Sequence, residues 1–245
     1  MSNRIAPKLL AEFIGTFALI FIGAGAAAVV GDGAGLNGIG AVAFAHGLTI
    51  MVFAFAYGSV SGAHFNPAVT VGVLSAGAIS VGEAAGYVVS QIAGGVAGAL
   101  LLLEVLGGAA TGLGTPALAH GLALGTTTTL TITPIAGFAI EAMLGFFLVT
   151  VVLNTAVAGR AGNLAPIAIG MTLTLNIIMG GALTGAAFNP ARALGPMIAT
   201  GNLTDAWLYV LAPIVGAIIA AWVHAGFIRL ARDRAMAARS ASAAG

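Results

Sequence analysis

Apolar residues run through this chain in long blocks separated by short polar or Gly- and Pro-containing joints. A helix needs roughly 20 mainly apolar residues to cross a bilayer. Six blocks reach that length, at about 8–30, 40–60, 83–106, 134–157, 164–183 and 205–230. Two further apolar segments are too short to cross, at 67–76 and 190–199, and each opens on Asn-Pro. Proline is tolerated as the first residue of a helix, so both read as half-helices that enter the membrane and stop near its middle. The pattern predicts an all-α membrane protein with six transmembrane helices plus two re-entrant half-helices.

The chain also repeats itself. Residues 11–17 read AEFIGTF and residues 140–147 read IEAMLGFF, so Glu12 and Glu141 hold matching places in the first and fourth spans. About fifty residues later each half carries the same four letters, Phe65-Asn66-Pro67-Ala68 and Phe188-Asn189-Pro190-Ala191. Three spans per half force the second copy to enter from the opposite side, which is an inverted repeat about an axis in the membrane plane. The first repeat is placed at 1–110, an extracellular connecting loop at 111–133, the second repeat at 134–232, and a disordered cytoplasmic tail at 233–245.

Composition agrees with burial in lipid. The 245 residues are 60% hydrophobic and 6% charged, against about 25% charged in a soluble domain. A net charge of +1 gives no reason to expect a nucleic-acid partner, and the absence of cysteine excludes disulfides, thiolate metal sites and cysteine nucleophiles. No cleavable signal peptide is expected, because the short basic lead from Met1 to Lys8 runs straight into a span. Arg4, Lys8, Arg160, Arg229, Arg232, Arg234 and Arg239 all fall on one side of a six-span chain, which puts both termini in the cytoplasm of an integral cell-membrane protein. Arg192 alone falls on the other side, in the second half-helix. A guanidinium there is expensive unless it faces a wet cavity.

Two half-helices that meet N-terminus to N-terminus place unsatisfied N–H groups and two positive dipole ends at the membrane centre. That is a barrier to cations and protons. Asn66 and Asn189 can each cap a helix and still offer a side-chain donor to a passing water. Glu12 and Glu141, at membrane depth, must be paired or hydrogen-bonded.

The words HFNPAVTVG at 64–72 and AFNPARALG at 187–195, with six spans and twin glutamates, resemble the paired Asn-Pro-Ala boxes of the aquaporin (major intrinsic protein) family. The resemblance implies the aquaporin fold and a pore centred on Asn66, Pro67, Ala68, Asn189, Pro190 and Ala191. It implies loop-bracing roles for Glu12, Glu141, His64 and Gln91, and a selectivity filter at His46, Ile177, Ala186 and Arg192. Family members with a strict water filter carry Phe and His at the first two of these positions. Glycerol channels carry Trp, Gly and Phe, with Asp after the arginine, where this chain has Ala193. The His-Ile-Ala-Arg set, with the words FAHGLT and LNIIMGGALTGAAFNPAR, is similar to the tonoplast-intrinsic subgroup, some of whose members pass ammonia. A loop histidine reaches the outer filter in those relatives, which makes His120 a candidate for that place.

The expectation is a passive channel for water and small neutral solutes such as ammonia and hydrogen peroxide, excluding protons and ions. The alternatives are a strict water channel and a glycerol-type facilitator. A coupled transporter would need intramembrane carboxylates or an ion site at the midplane, and the half-helix starts offer only amides and an arginine. Intact boxes weigh against a structural junction protein. No nucleophile stands with a base and no metal cluster is visible, so no enzyme activity and no cofactor are expected. By resemblance the partners are water, small neutral solutes, the lipid bilayer and three further copies in a homotetramer.

Overall fold

The computed structural model describes residues 5–30 and 35–243; Arg4 and the last two tail positions, 244–245, lie outside the described residues. Among the described residues six helices are long and apolar enough to cross a membrane: Ile5–Val30, Gly38–Ser61, Val81–Val105, Pro134–Val157, Gly162–Thr184 and Ala206–Ile228. They are the first to sixth spans below. The half-helices are Pro67–Ser75 and Pro190–Thr200, of 9 and 11 residues. At 1.5 Å per residue each is roughly half the length a crossing requires.

Each half-helix starts as its sequence dictates. Asn66 and Asn189 are extended N-caps, proline occupies the first turn, and the cap oxygen accepts from the N–H of Ala68 in the first and of Ala191 and Arg192 in the second. The second ends on Gly201 at φ 74°, a left-handed conformation that glycine adopts without strain.

Packing follows the inverted repeat. The first span lies on the third and the fourth on the sixth; the second lies on the fifth; each half-helix packs on the last span of the opposite half. The crossings are close because small residues leave no side chain between backbones. A Cβ at Gly216 would sit 1.9 Å from the Ala142 carbonyl oxygen, and one at Gly47 2.0 Å from the Thr174 hydroxyl. Lys8 and Glu83 form a 2.8 Å ion pair between the first and third spans. The loop after the third span carries a small antiparallel hairpin, Leu122–Leu124 with Thr128–Leu130.

The sixth helix departs from expectation by continuing to Ala243, across most of the stretch read as a disordered tail from 233. That stretch is mainly alanine and arginine, both strong helix formers, and the span already supplies the helix nucleus that an isolated tail would lack.

Candidate functional site

The two Asn-Pro turns meet at the centre of the molecule and hold each other. Asn66 Nδ2 donates to the Phe188 carbonyl at 3.0 Å, and Asn189 Nδ2 donates to the Phe65 carbonyl at 2.9 Å. Each amide has two N–H bonds, so each keeps one for another acceptor. Both asparagines are buried, and both line a cavity that also takes in His46, Ile177, Ala186, Arg192 and His64. All four filter candidates and both box asparagines are therefore brought to one space.

The loops that lead into the boxes are strained in the same way. Ala63 and Phe65 stand at φ 54° and 51°, Ala186 and Phe188 at 40° and 30°, where an L-residue loses roughly 1–2 kcal/mol. Two buried carboxylates hold these shapes. Glu12 accepts from the Ser61 hydroxyl at 2.6 Å, His64 N at 3.0 Å, Phe65 N at 2.7 Å and Gln91 Nε2 at 2.7 Å. Glu141 accepts from the Thr184 hydroxyl at 2.6 Å, Ala187 N at 3.1 Å and Phe188 N. Hydrogen bonds to a charged acceptor are the strong ones, and here they fall on backbone donors that the left-handed turns leave without partners.

Gln91 breaks the symmetry. Its Nε2 bridges Glu12 and the Thr70 hydroxyl, and its Oε1 has no partner. His64 Nδ1 lies 3.1 Å from the same hydroxyl, and its ring meets Tyr87 edge-on.

Arg192 is buried beside the second box. Its Nη1 donates to the Gly114 carbonyl at 2.8 Å, and its Nε has no protein partner. The loop brings Gly114 there through a tight turn anchored by Leu113, which is fully buried. His120 stands apart from these residues. It is exposed on the loop and does not line the cavity that holds His46 and Arg192. The loop meets the arginine with a backbone carbonyl at Gly114 and turns toward the hairpin before His120.

Sequence reasoning passed over several supporting groups. Tyr87 donates to the Ser61 carbonyl at 2.6 Å and Tyr209 to the Thr184 carbonyl at 2.7 Å, over separations of 26 and 25 residues. That pairing was legible as part of the repeat, yet Tyr209 reads from sequence as an interface or packing aromatic. The Gly114 carbonyl carried no side-chain signal. Among the described residues no cluster of three His, Asp or Glu side chains could hold a metal ion.

Comparison with known proteins agrees with this geometry. Residues 2–224 match the family described as Major intrinsic protein. The chain is 38% identical to aquaporin NIP1-2 of Oryza sativa subsp. japonica over 217 residues, 88% of this chain and 70% of that one. It is 38% identical to Nodulin-26 of Glycine max over 226 residues, 91% and 79% of the two chains. It is 40% identical to glycerol uptake facilitator protein-like 6 of Lactiplantibacillus plantarum over 225 residues, 88% and 95%. The aquaglyceroporin of Plasmodium falciparum has a TM-score of 0.73 with 89% of this chain and 95% of that one covered, at 23% identity, a likeness of fold. These plant relatives are NIP-type aquaporins and Nodulin-26, which corrects the tonoplast-intrinsic placement. That placement rests on four side chains and two short words, whereas likeness along the whole chain is carried by many packing positions.

Proposed function

Because this chain belongs to the major intrinsic protein family, a family of integral membrane channels, we propose that it is a passive pore for water and small neutral solutes, ammonia among them. The observation that carries this reading is the single cavity lined by Asn66, Asn189, His46 and Arg192 where two half-helix N-termini oppose each other. The asparagines orient a passing lone-pair donor, while the dipole ends and the guanidinium repel cations. Glu12 and Glu141 are committed to bracing loops. Four copies in the cell membrane, each with its own pore and with both termini in the cytoplasm, complete the proposal.

A glycerol-type pore is the second reading, favoured by the 40% identity to the glycerol uptake facilitator-like protein. Ala193 after the arginine, where glycerol channels carry Asp, weighs against it. One set of proteoliposomes tests both. Osmotic shrinkage and dye-reported alkalinisation under an inward ammonia gradient are expected to run faster than in protein-free vesicles, with slower glycerol entry. Shrinkage no faster than bare lipid overturns the pore, and glycerol entry faster than ammonia entry replaces the first reading with the second.

A further inference from the structure

His46 is the one filter candidate whose ring could either donate or accept. Its Nδ1 lies 2.9 Å from the Val42 carbonyl oxygen, one helical turn back. A carbonyl can only accept, so Nδ1 must carry the proton. The other ring nitrogen, Nε2, is buried without a partner on a side chain that is 2% exposed and lines the cavity. In the neutral ring that nitrogen holds a bare lone pair. Arg192 Nε, on the same cavity, is an unpartnered donor.

The ring is set in this position by its neighbour in the first span. A Cβ at Gly23 would lie 2.6 Å from His46 Cδ2 and 2.8 Å from its Nε2, so even alanine there forces the imidazole to move. Gly23 belongs to a π-helical turn, Leu19–Ala24, a local widening that recurs at functional sites.

We propose that Gly23 and the Val42 carbonyl fix His46 as a hydrogen-bond acceptor facing the donor Arg192, making Gly23 a specificity-determining residue. The pore then favours neutral solutes that bring both a lone pair and an N–H or O–H bond, ammonia being the smallest after water. This rests on the passive-pore reading and adds to it which filter atom accepts.

The test is solid-state NMR of the full chain in proteoliposomes with ¹⁵N-labelled histidine. The chain has four histidines, and the signals lost in His46→Gln identify the one in question. A protonated Nδ1 with a bare Nε2 is expected; an Nε2–H tautomer or a doubly protonated ring overturns the proposal. On the same vesicles His46→Leu is expected to lower the ammonia permeability roughly tenfold, the size of one hydrogen bond. His46→Gln, which keeps an acceptor, is expected to stay within about threefold of wild type by the same measure. Equal ammonia permeability in His46→Leu and wild type overturns it. Gly23→Ala is expected to shift the His46 signals and lower the ammonia permeability while some water still flows; unchanged signals overturn the assignment of Gly23. If that variant does not insert, adding His46→Ala is expected to recover insertion by removing the ring, and failure to do so overturns the contact. Absence of water flux in wild type would instead overturn the pore reading itself.

Discussion

Asn66 and Asn189 clasp each other's loops, each donating an amide hydrogen to the carbonyl of the phenylalanine that precedes the other, at 3.0 and 2.9 Å. The same side chains cap their own half-helices through Oδ1. A single residue type thus starts each half-helix, ties the two halves together and retains one N–H for another acceptor.

That relationship predicts strong coupling. Asn66→Leu and Asn189→Leu are each expected to destabilise the protein by about 2–4 kcal/mol, from a lost cap and a lost buried hydrogen bond. The double variant is expected to lose less than the sum. Thermal unfolding in detergent reads the cycle; strict additivity would mean the two loops act independently.

The twin glutamates are expected to respond unequally to an amide. In Glu12→Gln the new N–H₂ group faces Gln91, whose unpartnered Oε1 can turn to accept it. Four residues after Tyr209, where the first half has Gln91, the second half has Pro213, which offers no adaptable side chain. Glu141→Gln is therefore expected to be the more destabilising by about 1–2 kcal/mol, one stranded buried donor. Comparable melting temperatures for the two variants would remove Gln91 from this role.

Gly216→Ala is expected to disrupt the crossing of the fourth and sixth spans, since its Cβ would sit 1.9 Å from the Ala142 carbonyl. A backbone shift of that kind costs typically 1–3 kcal/mol. Gly58→Ala, with nothing within 4 Å, is expected to leave melting temperature unchanged or slightly raised. Equal losses at both sites would indicate that helix crossing distance is not what limits stability.

Arg192→Ala removes the guanidinium and its bond to Gly114. Ion exclusion is expected to weaken while water still passes, read as vesicle acidification under an inward proton gradient together with shrinkage rate. Proton tightness equal to wild type would place the whole barrier at the half-helix ends.

Mercuric ions are expected to leave water flux unchanged, because the chain has no cysteine. Inhibition reversed by a thiol would require a different ligand, with the exposed methionines Met143 and Met179 the first to replace.

What the sequence determined by itself is the frame. Apolar block length, proline at the head of two short blocks and the doubled Phe-Asn-Pro-Ala gave six spans, two half-helices and their inverted relation. These signals survive in one dimension because a bilayer imposes a length on every helix and a proline excludes itself from most helix positions. The gathering of His46, Ile177, Ala186 and Arg192 was likewise legible, through likeness to relatives.

Tertiary structure alone decided the rest, for a common reason. The Gly114 carbonyl that holds Arg192 and the Val42 carbonyl that orients His46 are backbone atoms, which every residue possesses and no letter marks. The exposed position of His120 on its loop was likewise not legible, because loop path depends on which residues, such as Leu113, bury themselves. Gly23 looks in sequence like any packing glycine among the chain's 37. Only the position of the His46 ring above it shows that the missing methyl group is space the imidazole occupies.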